Sequence, residues 1–477
     1  MDVCWIGNLL EFFEDHVGYL NFLRVVTACL FRKDFRRDMN TYGNITRRPE
    51  SQATLLPGSF VCQSSAARKY RRKNRERTGS FYSMANTADI VIVGGGVHGA
   101  STAWHLAKRG AGKIILIEKE GIAAGASGWS SAIVRMHYTL ESLTRVAMYG
   151  REMFGDWKNI VGVGESGFRQ VGFLILFATA EVPHAREVIA MQQRLGINAR
   201  MITPGEVGDI EPRLVRDDVT AGAWEPNSGH ADGSTVANSF ISAARDLGVE
   251  VRIGPEVLTM TSEGSRVTGV AMSDGVISAE PVIVEAGFRT SELLAEYGVD
   301  LPITPVRHAI TVVERTPDFG GIHPIVSDRI AETYFRPEAG SLTLIGEHDP
   351  MKGPVDEDVE AVKPAELNEQ VSQLERFAAR FPGQDSASLV RGYTGVYDCS
   401  PDFMPAFGRV QALDGLFVGA GFSGHGFKLS PGVGKILSDL VIDGSTDLID
   451  VQPFRVERFA EGDLLGAEDG YMNRSLA

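Results

Sequence analysis

Residues 89–118 switch between two kinds of hydrophobic pattern. Asp89 precedes the unbroken apolar run IVIV, then the glycine-rich GGGVHG, then a stretch with Ala, Trp104 and Leu106 on one helical face, and finally KIILIE. A short run of β-branched residues predicts a strand buried on both faces, the glycines a tight turn, and the helical spacing a helix that packs on the strands. The theme returns later in the chain. GHADGSTVANSFISAARDLGVEVRIGPEV predicts a helix with Ala and Phe periodicity and a strand toward Val257. VTGVAMSDGVISAEPVIVEAG predicts a hairpin and a buried strand closing on Ala286 and Gly287, and LFVGAGFSGHGFKLSPGVGK a further strand-to-helix passage.

A chain of 477 residues exceeds what one core usually serves, so two or three units are expected. Hydrophobic content of 43% with 23% charged residues is that of a globular protein. The apolar stretch VGYLNFLRVVTACLF is broken by Arg24 and is too short for a bilayer, so no membrane span is predicted. The net charge of −14 argues against a nucleic-acid partner, which needs a basic surface.

That charge is uneven. Residues 1–83 hold 14 basic and 8 acidic side chains, the remainder 33 and 53. The segment AARKYRRKNRERT and its Ser, Thr and Asn-rich surroundings predict a solvated leader, disordered or artefactual, with Met84 as the natural first residue before the first strand. Acidic residues Asp2, Glu11, Glu14 and Asp15 speak against a transit peptide. Cys4, Cys29 and Cys62 lie in the leader and only Cys399 in the body, so neither a disulfide framework nor a metal site is expected, and a reducing cytoplasmic setting is.

The first loop carries chemistry. Gly94, Gly96 and Gly99 form GxGxxG. Gly94 suits the tight turn, Gly96 lets backbone approach a pyrophosphate, and Gly99 lets helix and strand pack closely. The anion would sit at the helix N-terminus, where unpaired N–H groups and the dipole favour it. The strand ending at Glu118 supplies a carboxylate for the ribose hydroxyls at the expected distance. An NAD enzyme would complete its nucleotide domain in the next hundred-odd residues, whereas here the pattern returns in pieces, with a second glycine loop at Gly419, Gly421, Gly424 and Gly426.

That loop, GFSGHGFKLSPGVGK, together with SGWSSAIVRMHY, YFRPEAGSLTLIGEH and RGYTGVYDCSPDFMPAFG, resembles the FAD-dependent D-amino-acid oxidase superfamily, and within it the sarcosine oxidase branch, over residues 86–455. The resemblance implies an α/β fold, an FAD-binding Rossmann-like domain (86–165, 225–300 and 385–460) interleaved with a mostly antiparallel β-sheet substrate domain (166–224 and 301–384). It implies bound FAD. Gly94, Gly96, Val97, His98, Gly99, Glu118 and Lys119 match the adenosine diphosphate end and Val257 the adenine contact. Ser127, Ser131, Ala132 and Ile133 match the segment beneath the flavin, and Gly421, Gly424, His425, Gly426 and Phe427 the loop at its pyrimidine edge.

The implied reaction is oxidation of the C–N bond of a small amino acid or secondary amine, with hydride passing to flavin and an imine left to hydrolyse. The protein then mainly places the substrate. Arg135 and Lys428 match the cations that bind a substrate carboxylate, a task arginine performs with a two-pronged fork. Two cations would also lower the pKa of the substrate ammonium, so no dedicated base is required. Tyr397 matches a pocket aromatic, and His425 is placed to donate toward the flavin; His137, Tyr138, His308 and His348 are weaker candidates.

Two departures stand out. Gly395 occupies the place of the cysteine that links flavin covalently in monomeric sarcosine oxidases, so no linkage is expected there. Thr343 occupies the place of their oxygen-activating lysine, and Lys352 lies too far along. The electron acceptor is therefore O2 or a partner protein. A flavin-binding assembly or electron-transfer subunit without turnover is the alternative reading.

Overall fold

The computed structural model describes residues 86–348 and 363–466. The leader, Met84 and Lys352 lie outside them.

The run IVIV forms the strand Ile90–Val93, buried along its length, and KIILIE forms Ile114–Glu118 beside it. Between them the helix Val97–Lys108 starts directly after Gly96. These strands sit in a six-stranded sheet ordered Glu250–Ile253, Ile114–Glu118, Ile90–Val93, Val282–Val284, Leu416–Ala420 and Ala406–Arg409. The first five run parallel, and the last is antiparallel to its neighbour. Parallel strands need crossovers, and these bring in segments far apart in the chain. Ile92, Leu116 and Ile283 face a core shared with helices Val97–Lys108, Gly233–Asp246 and Ser430–Ile442. Val91, Val93, Ile115 and Val284 face the opposite way, onto Met260, Val267, Val270 and Ile277 of a four-stranded sheet that covers that side. A strand covered on both faces needs no polar alternation, which is why these runs are so apolar.

The second large sheet has eight strands. Its order is Ser388–Cys399, Thr304–Glu314, Leu342–Glu347, Thr333–Pro337, Ile325–Asp328, Phe173–Phe177, Ala221–Glu225 and Arg200–Ile202. Only the pair Ile325–Asp328 with Phe173–Phe177 is parallel. Side chains alternate between its faces. Tyr334 and Leu344 point toward the core shared with the nucleotide-type sheet, whereas Phe335 and Ile345 join Phe377 and Phe381 of the helix Leu367–Arg380 and its end.

One boundary moves. The segment from 385 was expected within the nucleotide part, but Ser388–Cys399 pairs along its whole length with Thr304–Glu314, so the eight-stranded sheet extends to Cys399. Local pattern could not assign this strand, because its partner lies about eighty residues earlier. Val257 likewise opens a strand of the four-stranded sheet instead of ending the strand Glu250–Ile253.

Candidate functional site

A cavity of about 410 Å³ runs along the C-terminal ends of the parallel strands and on to the edge of the eight-stranded sheet. That is where open α/β sheets hold ligands, and the volume is that of a ligand pocket.

At one end the glycine loop shapes the wall. Gly94 has φ +114°, and a Cβ there would collide with the Glu285 carbonyl oxygen. A Cβ on Gly99 would collide with the Gly94 carbonyl, so Gly99 serves strand–helix packing and does not itself line the cavity. Gly96, Val97 and His98 do line it. The helix they begin has no side-chain cap. The Val97 N–H donates to Ser127 Oγ at 3.0 Å, and the neighbouring helix-end groups offer an anion the positive end of the dipole. Glu118 accepts from the N–H groups of Gly95 at 2.7 Å and Glu120 at 2.8 Å, which fixes its carboxylate at the cavity edge beside Lys119 and Val257. Ala286 and Gly287 complete this end.

The opposite end is made by Trp129 and Ser130 on one side and by Tyr397, Gly424, Gly426 and Phe427 on the other, with Ser127 reaching back to the helix start. Ser131, Ala132, Ile133 and Gly421, expected at the cofactor, are not on the cavity wall. The chain turns away at Ala132, with φ +51°, so that Ile133 can pair with His230. Gly421 is instead held from behind, its N–H donating to Asp398 Oδ2 at 2.9 Å. Gly395 lines the cavity and Cys399 does not.

Uncapped helix start, glycine cradle, edge carboxylate and long cavity fit a dinucleotide such as FAD. Buried polar atoms without partners point the same way, because such atoms are costly unless a ligand or water meets them. His98, stacked on Phe422 with ring centroids 3.7 Å apart, has neither ring nitrogen bonded, and burial lowers its pKa to about 3. It is neutral at physiological pH.

A cationic cluster gathers at Tyr138, off the cavity wall. Arg135 is 1% exposed, donates to the His137 carbonyl oxygen, and holds its guanidinium 4.7 Å from the Tyr138 ring centroid. Lys428, 3% exposed, reaches the same ring with Nζ at 5.8 Å. Burial and then the Arg135 charge hold the Lys428 ammonium well below its usual pKa. Lys428 makes no ion pair among the described residues. His425 bonds through Nε2 to the Phe403 carbonyl at 2.9 Å and through Nδ1 to the Tyr138 hydroxyl at 3.3 Å. Burial, aided by Lys428, lowers its pKa to about 3, so it is a neutral fixture of this cluster and is not on the cavity wall.

Tyr397 faces the cavity and stacks on His308 at 4.5 Å. Its own pKa is raised well above the usual value by burial. His308 and Tyr334 lie on the same sheet face, His308 Nε2 is buried without a partner among the described residues, and the Tyr334 hydroxyl is directed at Ser131 and Tyr397. His348 bonds to Ser327 Oγ at 3.1 Å and is kept neutral by burial and by Arg329 and Arg135. Tyr334 and Ser327 had no signal of their own, since only strand register brings them to this face.

Thr343 is corrected outright. Its hydroxyl bonds to His323 at 2.8 Å and Arg315 at 2.9 Å on the far face of the sheet, while Leu344 points to the site side. Asp398 and Glu285 were also missed. Both line the cavity; burial raises Asp398 to about 6, against four backbone N–H groups, and Glu285 to about 8. No set of residues suited to a metal ion occurs among the described residues. No helix among them is long and apolar enough to cross a membrane.

The family model described as FAD dependent oxidoreductase (DAO) matches residues 89–440. The chain is 28% identical over 381 residues to 4-methylaminobutanoate oxidase (formaldehyde-forming) of Paenarthrobacter nicotinovorans, covering 76% of this chain and 45% of that protein. It is 27% identical over 389 residues to sarcosine oxidase subunit beta of Arthrobacter sp, covering 79% and 92%. The crystal structure of L-proline dehydrogenase from P. horikoshii superposes with a TM-score of 0.73 at 27% identity, covering 80% of this chain and all of that one. The chain spans less than half the length of the first curated relatives it matches.

Proposed function

This chain belongs to the DAO family of FAD-dependent oxidoreductases, and we propose that it oxidises the C–N bond of a small carboxylate-bearing amine, an N-methyl or D-amino acid, to an imine that hydrolyses. The observation that carries this reading is the pair Arg135 and Lys428, two buried nitrogen donors sharing the Tyr138 ring. Lys428 makes no ion pair among the described residues, a buried ammonium is costly without a complementary anion, and a substrate carboxylate is the anion a small amine brings.

FAD, when bound, supplies the two-electron sink. Gly94, Gly96, Val97 and His98 would hold its diphosphate, Glu118 its ribose, and Tyr397, Gly424, Gly426 and Phe427 its ring end. Arg135 binds and orients the carboxylate, with Lys428 as a second donor. The Arg135 charge opposes a neighbouring ammonium and so favours the free amine that must form before oxidation. His425 and Tyr138 keep the cluster rigid, and Tyr397 with His308 narrows the space beside it.

Electrons then pass to O2 or to an acceptor protein. With Leu344 and not a lysine on the site side of its strand, an acceptor protein is the reading we favour. A cytoplasmic location rests on the cysteine pattern alone.

The test is anaerobic bleaching of the bound flavin by a panel of N-methyl and D-amino acids, followed by a peroxide assay in air. Bleaching without peroxide supports the dehydrogenase. No bleaching by any member would favour a flavin-binding subunit without turnover.

A further inference from the structure

The turn after the strand Leu416–Ala420 is unusual in its backbone. Gly421, Ser423 and Gly424 have φ of +72°, +50° and +84°. Glycine adopts this region freely, whereas serine does so at a cost and only where its surroundings insist. Four hydrogen bonds do so here. Gly421 N–H donates to Asp398 Oδ2 at 2.9 Å, and Ser423 N–H to the Asp398 carbonyl at 3.3 Å. Ser400 N–H donates to Ser423 Oγ at 3.1 Å, and that hydroxyl donates to the Gly421 carbonyl at 3.2 Å. Asp398 therefore ties the last turn of the eight-stranded sheet's edge strand to the loop of the six-stranded sheet.

We propose that Asp398 is a positioning residue for the ring end of the cavity: its side chain sets the Gly421–Ser423 turn, and through it seats Gly424 against Tyr397. The contact it sets is tight. A Cβ on Gly424 would lie 2.5 Å from the Tyr397 ring, so any shift of the turn either crowds Tyr397 or opens a gap beside it. Tyr397, Asp398, Phe422 and Gly424 all line the cavity, so the geometry set by the carboxylate is the geometry a bound cofactor meets.

The carboxylate is held by backbone N–H groups, of Gly421, Phe422 and Ser423, and among the described residues no lysine, arginine or histidine pairs with it. It therefore brings an uncompensated negative charge to the cavity wall when ionised. An anion beside a redox group opposes electron uptake. Hydrogen-bond acceptance and charge are thus two separable contributions. Asparagine keeps the first and loses the second, while valine, β-branched like the strand end requires, keeps neither.

The inference rests on the cavity holding FAD, which stoichiometric FAD uptake by the wild-type protein tests separately. Apoprotein of wild type, Asp398→Asn and Asp398→Val is titrated with FAD by fluorescence quenching, and the visible circular dichroism and midpoint potential of each holoprotein are recorded. We expect Asp398→Asn to bind FAD within about threefold of wild type, with a less negative potential, and Asp398→Val to lose about tenfold or more in affinity with an altered flavin dichroism. If Asp398→Val does not fold, the asparagine variant still decides: tenfold weaker FAD binding by it, with wild-type potential, overturns the proposal. So does wild-type affinity and dichroism in Asp398→Val.

Discussion

Arg135 and Lys428 meet at one aromatic ring, 4.7 Å and 5.8 Å from the centroid of Tyr138, and are both almost wholly buried. They come from opposite ends of the chain, one from the strand region after Trp129 and the other from the turn that opens Ser430–Ile442. Arginine keeps its charge under these conditions and lysine is the one that yields. The pair therefore behaves as one fixed cation and one donor whose proton is loosely held.

The two cations should consequently differ on mutation. Lys428→Met should retain FAD, since Lys428 is not on the cavity wall, while raising KM for carboxylate-bearing substrates about tenfold to a hundredfold, the usual worth of a hydrogen bond to a charged group. Arg135→Lys should cost more, because lysine lacks the fork and two lysines would both shed charge there. Stopped-flow flavin reduction against a carboxylate substrate and its amide separates the cases. Loss of the yellow colour in Lys428→Met would show that the lysine serves the cofactor instead.

Glu285 makes a stability prediction. Burial raises its pKa to about 8, against the Thr102 hydroxyl, which works the other way. The folded protein therefore holds a proton that the unfolded chain releases near pH 4.5, so stability is full below that pH and falls as pH rises toward about 8. Glu285→Gln has no proton to lose. Relative to wild type it should gain about 2–4 kcal/mol between pH 5 and pH 8, measured by urea unfolding of the apoprotein. Parallel curves for the two proteins would exclude a neutral Glu285.

How far the sequence revealed this site depended on how local each feature is. IVIVGGGVHG and its return at Glu118 are complete within thirty residues, and burial on both faces writes the strands as plain apolar runs. The same double burial hid the phase of LTLIGE. With no polar alternation to mark a face, Thr343 could not be told from Leu344 as the residue over the site, and a one-residue slip reverses every side chain. Asp398 and Glu285 gave no sign either, since a carboxylate's meaning here comes from burial by segments distant in the chain.

The buried histidines set an acid limit. His308 is lowered to about 4, and His98 and His425 to about 3, all chiefly by burial. A lowered base is neutral when folded, so the stability it contributes is present above its unfolded pKa near 6.5 and is lost as pH falls through the folded value. FAD release and loss of structure should therefore begin below pH 6.5 and steepen toward pH 4, read as rising free-flavin fluorescence. His308→Asn should flatten the upper part of that curve; an unchanged curve would assign acid sensitivity elsewhere.

The cavity wall also decides how the flavin is attached. Gly395 stands where a cysteine linkage would form, and Cys399 is buried away from the cavity. Among the described residues the lining holds one histidine, His98, which lies flat on Phe422 beside Gly426, and burial lowers its pKa to about 3. That stack against Phe422 holds its imidazole in place. Trichloroacetic acid precipitation should accordingly leave all flavin in the supernatant, for the wild type and for Cys399→Ser alike. A Cβ at Gly395 would meet Trp129 Cβ at an ordinary 3.4 Å, so Gly395→Cys should be accommodated and would put a thiol on the cavity wall. Flavin retained in the wild-type pellet would overturn the expectation of a non-covalent flavin.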